Sequence, residues 1–434
     1  MVLGGDTILS RDKVIPLENY FLSTIRELPL KEKVAWVLFC VTCLQAAFLV
    51  PNFPLVESDR AKLLTAILCA ASLASAFFLM KDSRKSGTLW EVGICGALTV
   101  LILVSCSLST TPGPSLLRAV SVLAAGLGGF WCSRILLTSS NRQAFFTWFS
   151  AIILAGMIFL SICGYLLDRG IGHFLDVNVH PLACRMLLLA FAPLALVLRG
   201  VRRQAICGAV ILCLGYVVFL LSGLRSAVLI PVLLGVVAVA CGSLRMRRFV
   251  VVLIPLAAII FLFFSQLPVE KTQACYEPAY YRAENYPFSW HIAIQNPLLG
   301  IGLRAPREKY LADYETVYPY ATKEQFADSC KRIVVSENIF LTFMADLGFP
   351  FLLIYVGSVV ILLIRLTRLT SDPNPPGFLP PVAILLPLVG ALTHFLVLDG
   401  LLHPHVSWFF HILLGMIPRP HTPEAAIEPS RISA

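Results

Sequence analysis

Apolar runs of about twenty residues, separated by short polar links, cover most of the chain. They fall at roughly 34–55, 63–80, 90–107, 116–137, 144–167, 181–198, 205–222, 226–243, 249–267, 338–364, 379–400 and 406–417. A helix needs about twenty apolar residues to cross the hydrocarbon core of a bilayer. At these lengths a helix satisfies its own backbone in lipid, so the runs read as helices. The pattern predicts an all-α polytopic membrane protein of about 12 transmembrane helices. Residues 1–33 form a cytoplasmic leader, 34–267 helices one to nine, 268–337 a polar lobe, 338–417 helices ten to twelve, and 418–434 a cytoplasmic tail.

One long polar stretch, about 266–336, interrupts the alternation between spans nine and ten. It holds Trp290, eight tyrosines, Cys275 and Cys330, and the turn Asn296-Pro297-Leu298-Leu299-Gly300-Ile301-Gly302. A loop this long is either functional or a linker. Its aromatic and turn content favours a packed lobe. Cys275 and Cys330 are its two cysteines, and in an oxidising compartment they could bridge.

Composition agrees with the membrane reading. Hydrophobic residues make up 58% of the chain and charged residues 14%, against about 25% charged in a soluble domain. The formal net charge is +9. Its placement explains it by orientation in a membrane, with no need of nucleic acid. Lys81, Arg84 and Lys85, then Arg134 and Arg142, Arg199 with Arg202 and Arg203, Arg245 with Arg247 and Arg248, and Arg365 with Arg368 fall in every second loop. Basic loops stay cytoplasmic, so both termini lie inside and the polar lobe faces outward.

That regularity singles out the exceptions. Arg118, Arg169, Arg185 and Arg225 lie on or near the outer face, and Arg60 and Lys62 lie in an outer loop. Arg225, in Leu-Leu-Ser-Gly-Leu-Arg-Ser-Ala, has nearly continuous apolar sequence on both sides. An arginine facing hydrocarbon costs at least ~2.5 kcal/mol on insertion scales, so it should face a partner or a watery cavity. The planar guanidinium fork suits phosphate oxygens. Arg225, Arg282 and Arg304, with Arg169 and Arg185 in support, therefore suggest an anionic head group, most simply a lipid pyrophosphate. No glycine-rich nucleotide loop, HExxH or metal-spaced CxxC pair occurs. His403, His405 and His411 read as interfacial and core histidines, so no metal or other cofactor is expected. Asp399 and His394, near the same end, could pair with each other.

Residues Arg282, Trp290, Ala293, Asn296, Pro297, Leu298, Leu299, Gly300 and Gly302 form the pattern R-x(7)-W-x-x-A-x-x-N-P-L-L-G-x-G. It resembles the outer-loop signature of the O-antigen ligase and polymerase superfamily. Ser222-Gly223-Leu224-Arg225-Ser226-Ala227 resembles the Ser-Arg-Gly/Ser-Ala element that opens a span in that family. Phe174-Leu175-Asp176-Val177-Asn178 resembles its Phe-x-x-x-Asn element. Ser336-Glu337-Asn338-Ile339-Phe340-Leu341, followed by Asp346-Leu347-Gly348, resembles its His-Asn-x-x-Leu…Glu-x-Gly element. The resemblance covers about residues 165–365 and departs at Glu337, where the family usually has His.

The resemblance implies a metal-independent inverting glycosyltransferase on the outer face of a bacterial inner membrane. It would move a glycan from undecaprenyl pyrophosphate to a hydroxyl of lipid A–core, a step of lipopolysaccharide biosynthesis. Arg225 and Arg282 would hold the pyrophosphate with help from Arg304, Arg169 and Arg185. Glu337 would contact the acceptor as base or as orienting group. Asn178, Trp290, His291 and Asn338 would line the substrate site. His180 and His291 are the alternative bases. A repeat-unit polymerase or a protein-glycosylating ligase would share the donor chemistry. A small-anion transporter is the reading from another class. It favours internal repeats or paired broken helices, and no repeat between the halves is evident.

Overall fold

The computed structural model describes residues 28–48, 58–82, 89–167, 179–199, 201–222, 277–305, 337–370, 378–396 and 398–418. All regular structure among them is helical: α1 Leu30–Phe48, α2 Ser58–Asp82, α3 Leu89–Ser107, α4 Pro112–Leu136, α5 Ser140–Leu166, α6 Val179–Leu189, α7 Phe191–Leu198, α8 Arg202–Leu221, α9 Glu277–Gln295, α10 Ile339–Thr370, α11 Pro381–His394 and α12 Pro404–Gly415. Six described segments are long and apolar enough to cross a membrane: α3, α4, α5, α8, α10 and the α6–α7 pair taken as His180–Leu198. Leu64–Leu79 within α2, and α11, are shorter apolar helices. The expected spans 226–243 and 249–267 lie outside the described residues, as does most of the polar lobe.

Large apolar side chains face outward along these helices, among them Ile152 at 62% and Leu353 at 68% exposure, with Phe159, Ile206 and Ile361. Contiguous exposed apolar surface on this scale is what a bilayer covers.

The centre of the bundle is α12. Its 12 residues span only about 18 Å, less than a bilayer core. Yet it is buried almost all round and packs most extensively against α4. Trp408 is fully buried and meets Phe39 of α1 at 5.9 Å between ring centroids, and Phe39 meets Phe146 of α5 at 5.3 Å. Small residues allow the close α4–α12 approach. A Cβ on Gly129 would stand 2.5 Å from the Trp408 carbonyl oxygen.

The run 379–400, expected as one span, is divided. Helix α11 ends at His394, and Gly400–Leu402 forms a short 3-10 turn before α12. Pro404 opens α12 and its predecessor His403 is extended (φ −89°, ψ 113°), as the ring of a following proline requires. Leu401, Leu402 and Asp399 of this link are buried inside the bundle. Non-helical backbone within a membrane protein needs such cover.

Arginine contacts fall at two ends of the bundle. At one end Arg134 of α4 pairs with Glu91 of α3 at 2.6 Å and donates to the Gly415 and Ile417 carbonyls. Arg142 of α5 pairs with Glu32 of α1 at 2.6 Å, and Arg199 donates to the Phe378 carbonyl. The other end holds the C-terminus of α1, the α3–α4 turn, the start of α6, the start of α10 and the α11–α12 link. There the candidate site assembles.

Candidate functional site

Asn296 closes α9: its N–H and its Nδ2 both donate to the Ile292 carbonyl, at 3.0 and 3.1 Å. The chain then turns, with Gly300 N–H donating to the Asn296 carbonyl and Gly300 and Gly302 at φ 64° and 93°. This turn docks on an interruption in α10, where Gly348 (φ 84°, ψ 170°) breaks the helix. Ile301 N–H donates to the Ala345 carbonyl at 3.1 Å, Gly302 N–H to the Asp346 carbonyl at 2.8 Å, and Phe349 N–H to the Pro297 carbonyl at 2.8 Å. Backbone meets backbone with no room for side chains. A Cβ on Gly300 would lie 2.5 Å from the Leu347 nitrogen, and one on Gly348 2.5 Å from the Leu298 carbonyl carbon. The two separate sequence elements, Asn-Pro-Leu-Leu-Gly-x-Gly and Asp-Leu-Gly, are thus halves of one joint.

The joint is anchored to the end of α3 and the start of α4. Ser115 Oγ donates to the Leu303 carbonyl at 3.1 Å and Ser105 Oγ to the Asp346 carbonyl at 2.9 Å. Arg304, the next residue, gives its backbone N–H to Asp346 Oδ2 at 3.1 Å. It is held at φ 54°, and Glu337 at φ 53°. Among the described residues these are the two non-glycine positions with positive φ. Such strain collects at functional positions, because elsewhere nothing holds it in place.

Arg118 stands one turn past Ser115 on α4, beside Arg304 and within electrostatic reach of it and of Asp399. Its Nη2 donates to the Leu402 carbonyl. The Nε atoms of Arg118 and Arg304 are buried and carry no hydrogen bond among the described residues. Asp399 Oδ1 accepts from Thr342 Oγ on α10 at 2.8 Å. Ring pairs His180–His394 and His403–His405, each 5.6 Å between centroids, lie at the same end, and His405 lies near Arg185 and Arg118. No group of three or more His, Cys, Asp or Glu fit to hold a metal ion occurs among the described residues.

The remaining expected site residues divide. Glu337 is exposed immediately before Asn338, whose Oδ1 accepts from the Phe340 and Leu341 N–H groups and so caps α10. Arg185 is fully buried, and its Nη1 donates to the Ala46 and Ala47 carbonyls at 3.1 and 3.0 Å. It closes the C-terminus of α1, a contact set that sequence did not foresee. Trp290 is half-exposed on α9 with its ring edge-on to Phe349 at 6.1 Å, and His291 faces Gln295 on the exposed side. Arg282 lies on α9. Arg169, Asn178, Arg225, Cys275 and Cys330 lie outside the described residues. Arg118 is the residue sequence reasoning passed over. Its signal was present as a break in the charge rule, but its neighbours come from 180 to 280 residues away.

No curated protein matches this chain. A family model described as O-Antigen ligase matches residues 188–356, a span that includes the signature turn, the α10 interruption, Arg304 and Glu337. Members of that family are glycosyltransferase-like ligases or polymerases. Through this segment the chain is similar to the O-antigen ligase family.

Proposed function

We infer that the protein is a membrane glycosyltransferase that moves a glycan from undecaprenyl pyrophosphate to a hydroxyl of lipid A–core on the periplasmic face of a bacterial inner membrane. The observation that carries this reading is the coincidence of the O-antigen ligase match with the docked glycine turn and its strained Arg304 and Glu337. In the reaction the acceptor oxygen attacks the anomeric carbon from the face opposite the pyrophosphate. The carbon–oxygen bond to phosphate breaks, and the lipid pyrophosphate leaves with the bonding pair. Arg225 and Arg282, with Arg304, stabilise the charge that develops there, because preplaced donors in a dry site need no reorganisation. The acceptor proton passes to a base. Glu337 takes that role or orients the hydroxyl, and no metal is needed.

The test uses purified protein, lipid-linked glycan and lipid A–core. Arg225→Ala and Arg282→Ala should abolish transfer in protein that still inserts. Arg225→Lys should transfer poorly, since an ammonium lacks the bidentate fork. A Glu337→Gln loss of ~10²-fold marks a general base, whereas retained activity in Gln and loss in Ala marks an orienting group. A chelator should leave the rate unchanged. Full activity in both arginine variants overturns the site. A reporter placed near Thr322 should read periplasmic and one after Arg248 cytoplasmic, and the reverse overturns the orientation.

A further inference from the structure

Helix α9 has three flanks in its last three turns. Phe288, Ser289, Ile292 and Ala293 are buried, and α9 packs there on α10. His291 and Gln295, hydrogen-bonded to each other at 2.8 Å, form an exposed polar flank. Trp290 and Ile294 form the third, four residues apart and so on one side of the helix. Both are exposed, as is Leu298 at 69% in the turn that follows.

The level of this apolar flank can be measured along the helices it touches. The Glu91–Arg134 pair marks one end of the bundle, and Arg365 and Arg368 lie at the same end on α10. From Arg365 back to Phe349, α10 rises about 24 Å. From Glu91 to Ser105, α3 rises about 21 Å, and Ser105 Oγ donates to the Asp346 carbonyl. Two separate helices therefore put the glycine-turn joint at one level, and helix tilt can only lower it. The hydrocarbon core of a bilayer is about 30 Å thick. The joint lies just inside its far edge, and Trp290 packs edge-on to Phe349 at 6.1 Å. Leu353, one turn below Phe349, belongs to the exposed apolar surface of α10. The Trp290 flank thus continues a surface already given to lipid. Leu117 on α4 is exposed at a matching height, about 26 Å from Arg134.

We propose that α9 is an interfacial helix. Its Trp290–Ile294 flank, with Leu298, lies among bilayer lipids at the boundary between acyl chains and head groups, and His291 and Gln295 face water. An indole ring, apolar in body with one N–H, suits that boundary. The occupant of this surface is phospholipid, so Trp290 is a membrane anchor rather than a contact to sugar. The inference rests on the membrane assignment and holds whichever glycan is transferred. It also makes the bilayer part of the support of the joint. Tyr286 Oη ties α9 to the Leu396 carbonyl at 2.8 Å, and Asn296 joins α9 directly to the glycine turn.

Tryptophan fluorescence of the full-length protein in nanodiscs tests this. The lipid is phosphatidylcholine brominated near the glycerol end of its chains, near the methyl end, or not at all, and iodide is the aqueous quencher. The wild-type spectrum minus that of Trp290→Phe isolates Trp290. Its emission should fall by about half or more with glycerol-end bromine, as for a side chain ~5–10 Å into the boundary. It should fall less with methyl-end bromine and respond little to iodide. Two added tryptophans read the same flanks by gain of signal, whatever Trp290→Phe does to folding. Ile294→Trp should add emission that is quenched as Trp290 is, and Gln295→Trp emission quenched more by iodide than by either lipid. Quenching of Trp290 and of Ile294→Trp by iodide alone puts the flank in water and overturns the proposal. Quenching by no agent puts it under protein, either residues 306–336 of this chain or a second copy, and also overturns it. Strongest quenching by methyl-end bromine overturns the interfacial level. Equal lipid quenching in both added-tryptophan variants overturns the division of flanks.

Discussion

Gly300→Ala is the sharpest probe of how the site is built. The wild-type position has φ 64°, and a Cβ there would lie 2.5 Å from the Leu347 nitrogen and closer still to the Asp346 carbonyl. Those neighbours are backbone and cannot rotate away. The left-handed conformation costs a non-glycine residue about 1–2 kcal/mol, and forcing extra volume into a packed joint costs about 1–3 kcal/mol more. The local penalty is therefore about 2–5 kcal/mol. It should fall on the joint alone, through the Ile301–Ala345 and Gly302–Asp346 hydrogen bonds. Amide exchange by mass spectrometry in detergent reads this directly. At about 1.4 kcal/mol per decade, a penalty near 3 kcal/mol opens the Ile301 and Gly302 amides about 10²-fold more often. Exchange in α4 and α12 should hold at wild-type rates. Gly96→Ala is the control, because a Cβ there meets nothing within 4 Å. If Gly300→Ala exchanges like wild type at Ile301 and Gly302, or if the loss spreads evenly over the bundle, the docked-joint account is wrong.

Three further outcomes follow from the contacts. Glu91→Ala and Arg134→Ala should each destabilise by about 3–5 kcal/mol, because each strands a partner whose side chain is at most 5% exposed. The double variant should cost clearly less than the sum, and additive losses in a denaturation cycle would show the pair is not coupled. Arg185→Met should cost about 3 kcal/mol, since it leaves the Ala46 and Ala47 carbonyls without their donor. A wild-type stability with lost lipid binding would instead make Arg185 a ligand residue. Asp346→Ala should destabilise by about 1–3 kcal/mol and free the Arg304 loop, read as faster exchange of the Arg304 amide.

The sequence by itself determined the class and carried the resemblance to the O-antigen ligase family. Apolar runs longer than a bilayer core dictate helices, whatever packs beside them. The signature around Asn296–Gly302 is local, so its residue types are legible in one dimension. The bounds of α3, α5 and α8 lie within a few residues of the apolar runs for the same reason. What the chain could not disclose was which segments meet. The glycines of the turn looked like turn residues only. The structure shows that Gly300 and Gly348 are also required by a backbone contact across about fifty residues. Helix α12 read as a short and marginal last span, yet it is the hub of the bundle, because burial is a property of neighbours and not of hydropathy alone. Arg185 and Asn338 drew attention by type, and their partners show one closing α1 and the other capping α10. Arg118 looked like a stray outer-face charge until α4, the Arg304 turn and the α11–α12 link came together around it. Periodicity reports how each segment meets solvent or lipid. Charge compensation, close approach and cavities arise between segments, and only the tertiary structure decides them.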